Sequence, residues 1–449
     1  MAKPKIKYIC SNCGYDSVRW LGKCPECDSW SSFVEEVIEN NPRKITASTG
    51  KSSYKKISEI EATEEARIKT EIREFDRVLG GGLIPGSVIL LAGDPGIGKS
   101  TLVMQAASRI KEKVLYVTGE ESLQQIKLRA SRLKVKSDTF YVAAETGLRN
   151  IIAAIEDLKP KVVIVDSIQT VYNSELENSP GTVTQIRECT AILMADAKKK
   201  NYSVIIIGHV TKEGAIAGPK ILEHIVDAVL QFEGESKQSF RILRGLKNRF
   251  GSTNEIGIFE MHDDGLTEVK NPSELFINER DRNTSGSVVT SSIEGTRPLL
   301  IEVQALVTSS NFGNPQRVAT GFDFRRLSIL LAVLEKRGGY RLSANNVFLN
   351  MAGGVKIDEP AVDLAVCCSI ASSLLDRVAD SATVVIGEVG LGGEIRSVGH
   401  IEKRIQEAEK LGFRRIIIPQ NNIKSVKHNS GIKVVPVESL TEAVTLILK

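Results

Sequence analysis

From residue 57 onward the chain alternates two kinds of hydrophobic pattern. Short, nearly continuous apolar runs at 87–92, 114–118, 161–167 and 203–208 have the length and composition of buried strands. Between them, apolar residues recur at helical spacing, as in Leu102 to Ile110. Strands alternating with helices predict a mostly parallel sheet whose carboxyl ends carry the chemistry. The stretch 75–83, with three consecutive glycines at 80–82, reads as a turn leading into the first of these strands. Two polar blocks, 35–56 and 271–288, read as linkers. Beyond the second, 299–307 alternates as a strand, and 323–336 carries Leu327, Leu330, Leu331 and Leu334 on one helical face. The pattern therefore divides the chain into a small module at 1–34, a linker at 35–56, an α/β domain at 57–270, a linker at 271–288 and an α+β domain at 289–449.

Composition changes this picture little. The 449 residues are 42% hydrophobic and 25% charged, ordinary values for a globular chain of several domains. No apolar run approaches the roughly 18 residues of a membrane span, and the first residues lack the apolar core of a secretion signal. The expected location is the cytoplasm, where thiols stay reduced. A net charge of +4 permits a nucleic-acid partner without requiring one.

The chemistry is concentrated in one stretch, Gly93-Asp94-Pro95-Gly96-Ile97-Gly98-Lys99-Ser100-Thr101. It fits G-x-x-x-x-G-K-[ST], in which glycines let successive backbone N–H groups face phosphate oxygens. Lys99 is then placed to reach the β- and γ-phosphates, and the Ser100 hydroxyl to ligate Mg²⁺. The flanking strand and helix are the context the motif requires, with phosphate at a helix N-terminus. A nucleoside triphosphate with Mg²⁺ follows from this stretch alone; ATP is the expected nucleotide, a choice the stretch itself does not fix.

Two further carboxylates lie at predicted strand ends. Asp166 closes the 161–167 run in a Walker B pattern and is placed to hold the hydration shell of Mg²⁺. Glu120, after the 114–118 strand, is the preferred residue to orient the attacking water, with Glu121 as the alternative. His209 ends the neighbouring strand and is a candidate γ-phosphate sensor. The small, polar segments 173–182 and 211–219 follow strand ends, and Lys212 in the second is a candidate contact to a nucleic-acid backbone.

At the N-terminus, Cys10 and Cys13 pair with Cys24 and Cys27 as C-x₂-C…C-x₂-C. Four thiolates suit a tetrahedral, structural Zn²⁺ in a compact ribbon. Gly14 and Gly22 are expected to permit its turns, and Trp20 and Trp30 to cover the site. The other cysteines, Cys189, Cys367 and Cys368, sit in apolar surroundings that read as core.

Together the P-loop, the Gly119-Glu120-Glu121 strand end and the Asp166 strand resemble a RecA-type ATPase core. Lys247-Asn248-Arg249-Phe250-Gly251 is the more specific element and resembles the K-N-R-F-G signature of the bacterial RadA (Sms) family of DNA-repair proteins. The order of cysteine module, motor and C-terminal domain is similar throughout. The resemblance implies a homo-hexameric, ATP-driven motor that promotes branch migration on single-stranded and branched DNA alongside a RecA-type recombinase. It implies that Lys247 and Arg249 act across the subunit boundary, near the neighbour's nucleotide or on DNA. The C-terminal half resembles the proteolytic domain of Lon, but Ala361 stands at the serine position and Glu402 at the lysine position, so no peptidase activity is expected. Its expected use is assembly and DNA binding, with Arg317, Arg325, Arg326, Lys336, Arg337, Arg341, Arg404, Arg414 and Arg415 as basic candidates. An ATP-dependent protease, a clock-type signalling ATPase with autokinase activity and a non-motor DNA adaptor remain as rival readings.

Overall fold

The computed structural model describes residues 5–10, 15–26, 28, 30–38, 56, 67–209, 222–234, 240–277, 280, 283–310, 315–354, 356–426 and 431–448. It divides into two compact units, Met1–Glu268 and Val269–Lys449.

The first unit opens with a small antiparallel sheet. β1 (Lys5–Cys10) lies between β2 (Asp16–Ser17) and β3 (Phe33–Ile38). Lys5 pairs with Ile38, so the sheet runs past the expected module boundary at 34 and into the block read as linker. Phe33 packs with Cys10 and Cys24 in the module's core and starts a strand that the polar composition of 35–56 concealed.

The motor sheet has nine strands. Six are parallel, in the order β9 (Ala228–Glu233), β4 (Val88–Gly93), β8 (Ser203–His209), β7 (Val162–Asp166), β5 (Val114–Thr118) and β6 (Phe140–Ala144). Beyond β9, the strands β10 (Phe240–Asn248), β11 (Ile256–His262) and β12 (Gly265–Glu268) continue antiparallel. Successive side chains of β4 feed two cores. Ile89 and Leu91 join Phe75, Leu102 and Met104 from α1 (Arg73–Leu79) and α2 (Lys99–Arg109). Val88 and Leu90 join Ile151, Ile155 and Leu193 from α4 (Leu148–Leu158) and α5 (Val183–Lys200). Burial on both faces is why these strands read as continuous apolar runs. α3 (Leu123–Arg132) follows β5 and opens on a capping box between Ser122 and Gln125. The stretch 75–83 differs from its reading as a turn. Its first part completes α1, whose amphipathic Phe75, Val78 and Leu79 are buried, and Gly80 ends it in the left-handed conformation.

The second unit holds a seven-stranded mixed sheet, β15-β16-β14-β13-β17-β20-β21. Its members are β13 (Ser287–Glu294), β14 (Arg297–Ser309), β15 (Arg317–Thr320), β16 (Asn345–Met351), β17 (Thr383–Val385), β20 (Arg415–Pro419) and β21 (Lys433–Val437). A short ladder of β18 (Glu388–Val389) and β19 (Ile395–Arg396) stands apart. The helix Asp363–Leu374 is buried over most of its length, including Cys367 and Cys368. Within the predicted 271–288 linker, Pro272–Ile277 is helical. Ser273 there is fully buried, donating to Glu407 and accepting from the Leu300 amide. This segment is part of the second unit's packing and not a linker.

Candidate nucleotide site and its distal basic turn

The phosphate loop lies between β4 and α2, at the carboxyl end of the parallel strands. Gly98 is at φ 116, a backbone conformation that favours glycine, and a Cβ there would press on the flexible end of Met261 at 2.7 Å. Arg241, 5% exposed on β10, donates from Nε to the Ile97 carbonyl at 3.1 Å and braces the loop from below. Lys99 Nζ donates to the Gly93 and Asp94 carbonyls at 2.7 and 2.8 Å. The lysine is only 3% exposed, and burial pulls its pKa down to about 8 against the opposing pull of Asp166, Asp94 and Glu120. Ser100 and Thr101 open α2 half-buried beside it, while Asp94, Pro95 and Gly96 are exposed at the loop's tip.

Both strand-end carboxylates converge on this loop. Thr118 and Asp166 are register partners on β5 and β7, which puts Glu120 beside Asp166. Ser167 Oγ donates to Glu120 Oε1 at 2.5 Å. Glu121 instead forms an ion pair with Arg129 on α3. The geometry thus separates the two glutamates: one faces Lys99 and Asp166, the other is held by a helix. Gly119 makes this possible, since a Cβ there would collide with Thr170. Asp166 is 8% exposed and accepts a hydrogen bond from the fully buried Tyr116 hydroxyl. A hydroxyl at the start of α2 and a buried, oriented carboxylate opposite it are the oxygen donors that Mg²⁺ favours. His209 ends β8 in register with Gly93, which puts its backbone at the root of the loop. Lys212 and the 211–219 segment lie outside the described residues. The 173–182 segment is tied down by Gln185, whose amide donates to the Asn173 and Asn178 carbonyls.

Lys247 and Arg249 sit elsewhere. On β10 the register pairs Asn248 with Ala228, and Ala228 pairs with Ile89 at the start of β4. Their turn is therefore at the amino end of the parallel strands, about 15 Å from its own phosphate loop at roughly 3.3 Å per residue. Lys247 Nζ donates to the Glu223 and Val226 carbonyls, and burial lowers its pKa. Arg249 Nη1 contacts Asp227 Oδ1 at 3.2 Å and keeps a half-exposed side chain. Asp227, 2% exposed, also accepts from the Val88 amide at 3.1 Å, fastening the turn to the root of β4. Asn248 Oδ1 accepts from the Phe250 amide, and Arg67 Nη2 donates to the Phe250 carbonyl at 2.8 Å.

In the cysteine module, Cys10 and Cys24 are fully buried in one cluster with Phe33, so the two knuckles meet. Soft thiolate donors brought together in so small a core fit Zn²⁺. Cys13 and Cys27 lie outside the described residues, as does Gly14. Trp20 and Trp30 do not cover the site; they are 53% and 74% exposed. The positive φ angles of its described turns fall at Asp28 and Ser31, not at Gly22.

In the second unit Ala361 is 2% exposed and packs with Ile401 and Ile405, so the serine position is a core methyl. Glu402 replaces the lysine, and Lys403 turns outward to the Thr296 carbonyl. Arg404, one of the basic candidates, is wholly buried and paired with Glu359. Arg326 is paired with buried Asp363, Arg415 with Asp380, and Arg317 is spent on the Asn345 and Leu342 carbonyls. Of the set, Arg325, Lys336, Arg337, Arg341 and Arg414 are exposed. Sequence reasoning missed Tyr116, Arg129, Ser167, Asp227 and Arg241. Asp227 alone carried a signal, an acid inside the apolar run Val226-Asp227-Ala228-Val229.

Family models match residues 54–215 as an AAA domain, 8–35 as a rubredoxin metal-binding domain and 321–422 as subunit ChlI of Mg-chelatase. The chain is 53% identical over 451 residues to DNA repair protein RadA of Bacillus subtilis, covering 99% of this chain and 98% of that protein. The chain belongs to the RadA family of DNA repair proteins. The Listeria monocytogenes member is also 53% identical, with 98% of both chains covered. Among solved structures, the RadB recombinase is 23% identical with a TM-score of 0.37, covering 45% of this chain and 100% of that one. A KaiC-like protein from Pyrococcus horikoshii is 21% identical with a TM-score of 0.38, covering 45% and 98%. As in the family, the chain combines a RecA-like P-loop core with an N-terminal zinc ribbon and a C-terminal Lon-like domain. No helix among the described residues is long and apolar enough to cross a membrane.

Proposed function

We propose that this protein is a DNA-dependent ATPase that translocates on single-stranded DNA and promotes branch migration during recombinational repair in the bacterial cytoplasm. The observation that carries the reading is the division of its cations between the two ends of one sheet. Lys99 serves the chain's own phosphate loop, while Arg249 stands at the far end of the strands, fixed on Asp227 with its guanidinium half in solvent. A cation so placed has no path to its own nucleotide, and in a head-to-tail homo-hexamer it meets the neighbour's.

Lys99 and the loop amides bind the β- and γ-phosphates, and Glu120, steadied by Ser167, orients the attacking water. Ser100 and Asp166 would hold Mg²⁺, which when bound neutralises phosphate charge. Tyr116 fixes the Asp166 carboxylate in place. Arg249 and Lys247 stabilise charge on the neighbour's transferring phosphoryl group, or grip DNA, and so couple nucleotide state to the adjacent subunit. Cys10, Cys13, Cys24 and Cys27 hold a structural Zn²⁺. The Lon-like domain, without a nucleophile at Ala361, serves assembly and binding of branched DNA, and a RecA-type recombinase is the partner on the joint.

ATP turnover with and without single-stranded DNA, over a range of salt, tests the reading. We expect strong stimulation that weakens with salt as counterions compete for phosphates, and its loss in Lys99→Ala. Equal turnover with and without DNA at every salt would instead favour a signalling ATPase.

A further inference from the structure

We infer that the amino ends of β5, β7 and β8 form a second DNA contact, a row of lysines that binds the phosphate backbone of duplex DNA. This rests on the reading that the protein acts on DNA, but it concerns lysines which that reading does not use.

The three segments that lead into these strands are 110–113, 157–161 and 198–202, the last two beginning in the final turns of α4 and α5. They carry Lys111, Lys113, Lys159, Lys161, Lys198, Lys199 and Lys200 against two carboxylates, Glu112 and Asp157. The strands are neighbours in the sheet, so their first residues, Val114, Val162 and Ser203, lie side by side at about 4.8 Å spacing. Backbone bonds fix the order: the Lys161 amide donates to the Lys113 carbonyl and the Ser203 amide to the Lys161 carbonyl, each at 2.9 Å. Lys200 is engaged by Glu156 and Asp196. The other six lysines are exposed and have no carboxylate partner among the described residues. Between the second and third segments is a cavity of about 410 Å³ lined by Glu156, Lys159, Pro160, Lys161, Lys200 and Tyr202.

Helix electrostatics accounts for part of this. Lys198, Lys199 and Lys200 close α5, where cations offset the helix dipole. It does not account for Lys111, Lys113 and Lys161, which stand before strands. Six unpaired cations held within a few strand widths repel one another and gain most by contact with a regular polyanion. The row contains no exposed aromatic, since Tyr202 is only 2% exposed. Single-strand sites combine cations with stacking platforms, so a row of cations alone fits the backbone of a duplex. Asp166 ends β7 four residues beyond Val162, so the row stands more than about 13 Å from the nucleotide site and leaves it free to work.

The test is a full-length variant with Lys111, Lys113, Lys159, Lys161, Lys198 and Lys199 all changed to Gln, compared with wild type for binding a fluorescent blunt duplex at several salt concentrations. We expect duplex affinity at low salt to fall at least about tenfold, and the slope of log affinity on log salt to shrink by about 2–4, near 0.9 for each lost phosphate contact. Nucleotide affinity and single-strand-stimulated ATP turnover should hold, which also shows that the variant folds. Unchanged duplex affinity and slope would overturn the inference. So would wild type that binds single strands and no duplex, a result that leaves the motor reading intact. Wild type that binds neither would remove both.

Discussion

Lys99 shows how burial sets a functional charge. Desolvation brings its pKa from 10.5 to about 8, and nearby carboxylates only partly offset this. The unfolded chain holds this proton up to 10.5, so between about 8 and 10.5 it binds more protons than the folded chain. The burial penalty on stability is therefore full below pH 8 and shrinks as pH rises through that window. Binding has the opposite sign. Triphosphate favours the ammonium form, so affinity should be flat below pH 8 and weaken above it, approaching about tenfold per pH unit. Calorimetry in two buffers of different ionisation heat would show proton uptake on binding above pH 8 and none at pH 7. Glu120 and Glu121 divide similarly by environment. Glu120→Gln should lower kcat by about 10²–10⁴ with nucleotide affinity retained, as expected for a residue that assists proton removal. Glu121→Gln, which touches only the Arg129 pair, should cost far less turnover, and single-turnover kinetics on both variants would distinguish them. The loop, Asp166 and Glu120 were legible in sequence because local spacing determines where they stand. Tyr116 was not, because inside Val114-Leu115-Tyr116-Val117-Thr118 it reads as core and its hydroxyl finds Asp166 only through strand pairing.

At the scale of elements, β4, β5, β7, β8 and the helix α2 followed from periodicity, while β6 and β9 to β12 did not. The register of β10 to β12 depends on long-range antiparallel pairing that no local pattern announces. The helix Pro272–Ile277 was hidden for a related reason, since it is stabilised by Ser273 and Phe276 packing on distant segments and not by its own short pattern. The helix Ile401–Lys410 buries Arg404 on the same face as Ile401, Ile405 and Ala408, so a residue read as a surface cation points inward. Arg404 donates to Glu359 and to the Ser291 and Gly399 carbonyls, and Glu359 also accepts from the Ile293 amide at 2.6 Å. Arg404→Met leaves Glu359 without its cation and should destabilise the second unit by about 3–5 kcal/mol. Adding Glu359→Gln should restore part of that loss. Chemical denaturation of the two variants, followed at the second unit's transition, measures both values.

At the scale of the whole molecule, the sheet polarises its chemistry. Its carboxyl end holds Lys99, Asp166 and Glu120, and its amino end holds Arg249 and Lys247 on a turn fastened by Asp227, Asn248 and Arg67. On the proposed reading, each catalytic site is completed by the Arg249 turn of another copy. Mixing two inactive variants tests it most directly. Lys99→Ala has no working loop and Arg249→Ala has no donated cation, so each should turn over ATP at background in the presence of single-stranded DNA. Mixed and allowed to exchange subunits, they should recover a substantial fraction of wild-type turnover, because an intact loop from one variant then faces an intact arginine from the other. Mixtures that stay at background at every ratio, while exchange is verified by fluorescence transfer between labelled copies, would contradict the account.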